Sequence, residues 1–412
     1  MENENIINQI KEYVSAHMDM TRELEDEELW ELIDDAIQLQ ASKELISIAQ
    51  RDRLRLQIFN SFRRMDVIQE LIDDPDITEI MVNGPDNIFI EKDGRIQRWE
   101  GHFESEDRLF DIACQMASRA NRIVNESVPI ADTRLKNGSR VNIVLPPVAL
   151  DGPVITIRKF YETPFTMEKM IEKGSISQEA AEFLSTACKA GYNIFVSGGT
   201  GSGKTTFLNV LSGYIPKEER VITIEDSAEL RINRVENLVR LETRTPNIEG
   251  DNAITIRDLI KTSLRMRPDR IIVGEVRGPE AIDMIQGMNT GHSSMSTGHA
   301  NSPADMLARL ETMVLMGMDI PLMAVRGQIA SAVDIIVQIA RMRDGSRKII
   351  NISEVTGMEG DIITMQDLFR YEQHGIDSDG RLEGAFVTTG LRPQCGEKLE
   401  MNGIHLPMEL FV

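Results

Sequence analysis

Eight consecutive residues, Gly198-Gly199-Thr200-Gly201-Ser202-Gly203-Lys204-Thr205, satisfy the pattern G-x-x-x-x-G-K-[ST]. Glycines at this spacing let successive backbone N–H groups turn inward around a β-phosphate. A helix opening at the lysine adds unpaired amide donors and partial positive charge. Lys204 can then bridge the β- and γ-phosphates, and the Thr205 hydroxyl can ligate Mg²⁺. The flanks supply the required context. Tyr192-Asn193-Ile194-Phe195-Val196-Ser197 reads as a short buried strand, and Thr206-Phe207-Leu208-Asn209-Val210-Leu211 is apolar at helical spacing. Gly198 through Thr206 are therefore expected to bind a nucleoside triphosphate.

Two further apolar runs end in acids. Val221-Ile222-Thr223-Ile224-Glu225-Asp226 and Arg270-Ile271-Ile272-Val273-Gly274-Glu275 both read as buried strands with a carboxylate at the C-terminal end. Two such acids around one metal–phosphate suit hydrolysis, one organising the metal and the other accepting a proton from water. The competing reading is that strand-ending acids only cap the next turn. A third segment, Thr290 to Asn301, carries two of the chain's six histidines, His292 and His299, among Gly, Ser, Thr and Asn. It is expected to turn tightly and present donors to a γ-phosphate. The residues alone leave a structural role for these histidines equally open.

These residues need elements to position them. At 412 residues, two or three domains are expected. Residues 1–62 read as helices, with Trp30, Ile33 and Ile37 on one face and Leu45, Ile48, Leu54 and Ile58 continuing an amphipathic pattern. Residues 63–160 read as a small α+β domain. Its expected strands include Ile77–Val82, Ile88–Ile90, Arg140–Val144 and Val154–Ile157, with an Asp93-Gly94 hairpin turn and a helix near Arg108–Asn121. Residues 161–175 read as a linker, followed by a helix capped near Ser177. From 176 to 345 short apolar strands alternate with helices, which predicts an α/β domain with a mostly parallel sheet. Its nucleotide site is expected at the strands' C-terminal ends. Residues 346–412 read as a smaller Gly-rich appendage.

Composition excludes some partners. The net charge of −21, from 66 acidic and 45 basic residues, argues against direct nucleic-acid binding. Residues 1–50 hold 13 Asp and Glu against Lys11, Arg22 and Lys43, which reads as a solvated face or an adaptor-docking surface. Cys114, Cys188 and Cys395 are not in metal-ligand spacing, and scattered cysteines suit a reducing cytoplasm. No stretch approaches the roughly 18 apolar residues of a membrane helix.

The phosphate loop, the acidic box Ile224-Glu225-Asp226, Val273-Gly274-Glu275-Val276-Arg277 and the segment ending His299-Ala300-Asn301 occur in an order that resembles the type II and type IV secretion ATPases. Within them the chain is most similar to the CpaF/TadA family of tight-adherence (Flp) pilus assembly ATPases. Leu241-Glu242-Thr243-Arg244, Leu264-Arg265-Met266-Arg267-Pro268-Asp269-Arg270, Arg309-Leu310-Glu311-Thr312-Met313 and Glu354–Asp361 carry that likeness, which spans about residues 65–395.

The resemblance implies a RecA-like P-loop NTPase domain and a homohexameric ring, with Mg·ATP between that domain and the N-terminal one. It implies that Glu225 positions the attacking water, that Glu275 stands near Mg²⁺ and that His299 senses the γ-phosphate. It also implies that Arg140 and Arg158 present positive charge to the phosphates, with Arg134, Arg240 and Arg244 as further candidates. The implied place of action is cytoplasmic, peripheral at the inner face of the membrane, on a polytopic platform protein. A type IV secretion ATPase for DNA or protein export, and a nucleotide-dependent scaffold with little turnover, are the other readings. The tetracysteine module of type II secretion relatives is absent from this sequence. Ser293-Ser294 replaces an Asp-Gly common after the first histidine, and Gly298 before His299 is expected to loosen that loop.

Overall fold

A computed structural model describes residues 2–18, 22, 24–43, 45–92, 94–159, 165–244, 252–376, 382–394 and 396–411. The chain forms two compact units, Met1–Glu162 and Thr163–Val412.

The first unit opens with helices α1 (Glu2–His17), α2 (Asp26–Ala41) and α3 (Ile48–Arg63). Leu29, Ile33 and Ile37 recur one helical turn apart, so α2 turns a single apolar stripe onto Ile10, Val14 and Ile58. Trp30 stacks on Phe59 at 3.9 Å between centroids, and the Arg55 guanidinium covers its ring. The expected apolar face does not continue through Leu45 and Ile48, which are exposed. They flank the connection into α3, whose buried residues begin only at Ile58.

After α4 (Gln69–Asp73) come β1 (Ile77–Asn83), β2 (Ile88–Lys92), β3 (Arg95–Trp99), β4 (Ile130–Arg134), β5 (Arg140–Val144) and β6 (Val154–Arg158). They form an antiparallel sheet in the order β3-β2-β1-β6-β5-β4. Helix α5 (Glu106–Arg119), capped by Ser105, contributes Leu109, Ile112 and Met116 to the same core as Ile80, Val141 and Ile157. Gly94 takes the left-handed conformation between β2 and β3 (φ 72°), while Asp93 of the expected turn lies outside the described residues.

Between the units, residues 161–164 of the expected linker lie outside the described residues, and the rest of it is not extended chain. Helix α6 (Met167–Glu172) buries Met167 and Met170 in the main core, and α7 (Gln178–Lys189) follows its Ser177 cap. Then come β7 (Ile194–Gly198), α8 (Lys204–Ser212), β8 (Arg220–Glu225), β9 (Asn237–Glu242), α9 (Ile256–Ser263), β10 (Arg270–Val273) and α10 (Ala281–Asn289). The chain continues through β11 (Ser293–Gly298), α11 (Pro303–Gly317), α12 (Leu322–Ala332), β12 (Ile335–Arg341), β13 (Arg347–Glu359), β14 (Ile362–Ile376), β15 (Leu382–Thr388) and α13 (Glu397–Met401). The nine strands order as β15-β14-β13-β12-β7-β11-β10-β8-β9. From β12 to β9 all pairs are parallel, and β13 to β15 are antiparallel additions.

Two expectations change here. Residues 346–412 are not an appendage, because β13 pairs along β12 and prolongs the central sheet. Their tail also returns to the core, where Phe411 meets Phe183 and Phe369 at 5.7 and 5.5 Å. Residues 293–298 are not a tight turn; they form a central strand, buried from Ser294 onward. Small side chains fit this crowded position, and their hydroxyls bond backbone carbonyls: Ser294 Oγ donates to His292 O (3.0 Å) and Thr297 Oγ1 to Gly274 O (2.7 Å). Among the described residues, no helix is long and apolar enough to cross a membrane.

Candidate functional site

Parallel strands bring their C-terminal ends to one edge of the sheet, where α/β proteins bind ligands. β7, β8, β10 and β11 end there in the phosphate loop, Glu225, Glu275 and His299 respectively. Gly201 and Gly203 adopt left-handed φ angles of 70° and 98°, which is why the loop reverses into α8 at Lys204. At Gly198 the chain runs so close to β12 that a Cβ would meet Ile339 O at 2.3 Å.

Lys204 is 8% exposed, and its ammonium donates to Gly199 O (2.9 Å) and lies 3.4 Å from His299 Nδ1. His299 Nε2 in turn lies 2.8 Å from Glu275 Oε1. Because an ammonium only donates, this contact makes Nδ1 the acceptor and leaves the imidazole proton on Nε2, facing Glu275. Burial and then the Lys204 charge hold the His299 pKa below its ordinary value, against the opposing pull of Glu275. A neutral imidazole thus spans a cation and a carboxylate. It stands in a cavity of about 610 Å³ that Thr200, Asn301, Asp305 and Arg309 also line. The loop at Gly298 is not loose: a Cβ there would meet Met306 Cε at 2.5 Å, so α11 packs into the space the glycine leaves.

Glu225 is buried differently. Its Oε1 accepts backbone N–H bonds from Glu229 (2.8 Å) and Leu230 (2.9 Å), while Oε2 is buried without a partner. Burial is the largest influence, and it raises the carboxyl pKa to about 7 despite the two amides. Such a group can hold or release a proton at neutral pH, as a general base requires. Gly274 leaves no room for a side chain beside it: a Cβ at 274 would sit 2.9 Å from Glu225 Cγ. Gly274→Ala is therefore expected to push Glu225 aside. ATP turnover should fall at least tenfold while nucleotide binding changes little, read from steady-state kinetics beside a binding titration.

The structure brings Lys204, His299 and Glu275 together. Glu225 ends a strand separated from β7 by β11 and β10, roughly 14 Å across the sheet. His292 precedes β11 whereas His299 follows its end, and His292 Nδ1 lies 3.3 Å from Gly287 O, so the two histidines do not act as a pair. Asp226 is tied to Arg277, and Arg244 Nε donates to Asn252 O (2.7 Å). In the first unit the register sets Arg134 opposite Arg140 and Arg140 opposite Arg158, three like charges in a row across β4, β5 and β6. Asp132 at 3.7 Å from Arg140, and Glu79 opposite Arg158, offset part of that charge. Arg309 was not singled out for chemistry by the sequence. The signal was Ser302-Pro303, a helix start directly after the histidine, whose first turns were bound to overhang it.

Residues 63–378 match the family described as type II/IV secretion system protein. The chain belongs to that family. A putative conjugal transfer protein of Mycobacterium tuberculosis is 33% identical over 301 residues, 71% of this chain and 85% of its own length. The type IV secretion system protein PtlH of Bordetella pertussis is 34% identical over 304 residues, 67% of this chain and 90% of its own. The secretion-family fold extends to the pilus retraction motor PilT with bound ADP, at TM-score 0.52 and 20% identity over 70% of this chain and 81% of that one. The fold is α/β, a RecA-like P-loop NTPase domain with a smaller α+β N-terminal domain preceded by helices.

Proposed function

We propose that this chain is an ATPase that couples Mg·ATP hydrolysis to pilus assembly of the tight-adherence type, or to protein secretion, through a membrane platform. The observation that carries the reading is the contact series Lys204–His299–Glu275 closing on a glycine-turned helix N-terminus. Lys204 and the loop amides hold the β- and γ-phosphates, and His299 sits where a γ-phosphate would disturb its contact with Lys204. Glu225 accepts the proton of the attacking water. Thr205 and Glu275 would hold Mg²⁺; the Glu275 carboxylate, 2.8 Å from His299 Nε2, is the kind of hard oxygen donor that a divalent cation takes. The metal would neutralise phosphate charge as the bond to the leaving group breaks.

The working form in this reading is a homohexamer, cytoplasmic and peripheral at the inner face of the membrane. It acts on a polytopic platform protein without touching nucleic acid. A type IV secretion ATPase is the second reading, favoured by the likeness to PtlH. Phosphate release from the purified chain, with and without cytoplasmic loops of a platform protein, tests the first. Stimulation is expected. A chain that binds ATP and releases no phosphate in either condition is a scaffold instead.

Arg140 and Arg158 are assigned to the phosphates on this reading. Like charges set directly opposite across strands cost stability, and an anion relieves that cost. Arg140→Ala and Arg158→Ala should each lower turnover by roughly 10²-fold or more with the melting temperature unchanged or slightly raised. Arg→Lys should restore only part of the rate, since the planar fork is lost. Unchanged turnover in both alanine variants would leave the arginines as surface charges.

A further inference from the structure

We infer that Arg347 is a positioning residue of the phosphate loop, an inference that rests on the ATPase reading. Arg347 begins β13, in a segment that carries no nucleotide-binding pattern in the sequence. The parallel sheet nevertheless delivers it to the site's edge: β12 runs alongside β7, pairing Ile339 with Gly198, and the hairpin then pairs Arg341 with Arg347. The turn between them is fixed. Asp344 Oδ1 accepts from Ser346 N (2.9 Å) and Oγ (2.6 Å), and its Oδ2 accepts from Leu382 N of β15 (3.0 Å). Beyond the arginine, Ile349 N donates to Ser175 O (2.9 Å).

From this held position the Arg347 side chain reaches the loop. Its Nε donates to Gly201 O at 3.0 Å, and its Cδ lies 3.3 Å from where a Cβ of residue 203 would be. The consequence follows from peptide geometry. In a planar trans peptide the C=O and N–H point in opposite directions. Pinning Gly201 O on the Arg347 side therefore turns Ser202 N–H to the other side, where Lys204 lies. The bonds agree. Ser202 N approaches Gly199 O at a long 3.4 Å, and that same carbonyl takes the Lys204 ammonium. A phosphate oxygen would be a better acceptor for this amide.

The alternative orientation is cheap in the absence of the arginine. Gly201 has no Cβ to resist rotation, so the 201–202 peptide could flip and aim a carbonyl oxygen at the phosphates. Arg347 removes that option from outside the loop, and the antiparallel strands β13 to β15 thereby supply part of the nucleotide site.

Calorimetric titration of the full chain with Mg·ADP tests this, using Arg347→Met and Arg347→Lys. Methionine keeps an apolar stem over Gly203 and loses the donor, so binding should weaken about tenfold. Lysine keeps a donor, so its affinity should stay within about threefold of wild type. Both variants should melt with the wild type. The deficit of Arg347→Met should persist at about 0.5 M salt, because a held peptide is not screened. Wild-type affinity in Arg347→Met, equal weakness in Arg347→Lys, or a deficit that vanishes in salt would each overturn the inference. A wild-type chain that binds no Mg·ADP would instead refute the ATPase reading beneath it.

Discussion

Lys204→Ala should reduce ATP turnover by roughly 10³-fold or more while leaving the fold in place. The ammonium donates to Gly199 O and lies beside His299 Nδ1. Neither partner belongs to the apolar core, so the substitution removes charge from the site without removing packing from the sheet. Burying a charge is itself costly, and its loss offsets the two contacts given up. The melting temperature is expected to stay within a few degrees of wild type. Phosphate release and thermal melting, followed on the same preparation, check both halves. Wild-type turnover in a folded variant would remove the phosphate loop from the mechanism. Loss of the melting transition would instead make Lys204 a folding residue.

Glu225→Gln should retain Mg·ATP binding and lose hydrolysis by roughly 10²-fold or more, because the amide cannot take a proton. The wild-type rate should climb as pH rises through about 7, where the Glu225 carboxyl gives up its proton. The same group makes a prediction about stability with the opposite sign. Its folded pKa lies above the unfolded carboxylate value, so the folded state holds the proton more tightly. Below the unfolded value both states are protonated and Glu225 has no effect. As pH rises from there to about 7 the buried charge progressively disfavours the folded state, and above 7 the cost is complete. The glutamine variant escapes this, so it should melt above wild type at pH 8, by an amount on the order of a few kcal/mol at most. That difference should vanish near pH 4.5. A variant that hydrolyses normally while Glu275→Gln is dead would reverse the two acids' roles. A stability gap that does not change with pH would mean that Glu225 is not strained by burial.

Lys204, Glu225 and Glu275 were legible because each announces itself locally: a glycine pattern before a helix, or an acid ending an apolar run. β8 and β10 were recognisable for the same reason, being made of valine and isoleucine. β11 was not. Its Ser293-Ser294-Met295-Ser296-Thr297-Gly298 has the composition of a turn, and only its neighbours β7 and β10 make a strand of it. That misreading also joined His292 to His299, which the six-residue strand β11 holds roughly 20 Å apart. The arginine row of the first unit and the Arg347 contact were hidden for another reason. Both depend on strand register between residues distant in sequence, and register follows from the whole pattern of buried side chains. The arginines could be named by resemblance; their alignment could not.

The seat of Phe411 between Phe183 and Phe369 has a bearing on how the protein is made. Synthesis runs from the N-terminus, so the first unit has all its residues long before the second is finished. The phosphate loop is made roughly two hundred residues before Phe411, a ring that belongs to the same core as Phe207 and Leu208 of α8. Until Phe411 is made, Phe183 and Phe369 lack the ring that packs on them. The core beneath α8 is thus completed by a residue made after every strand of its sheet.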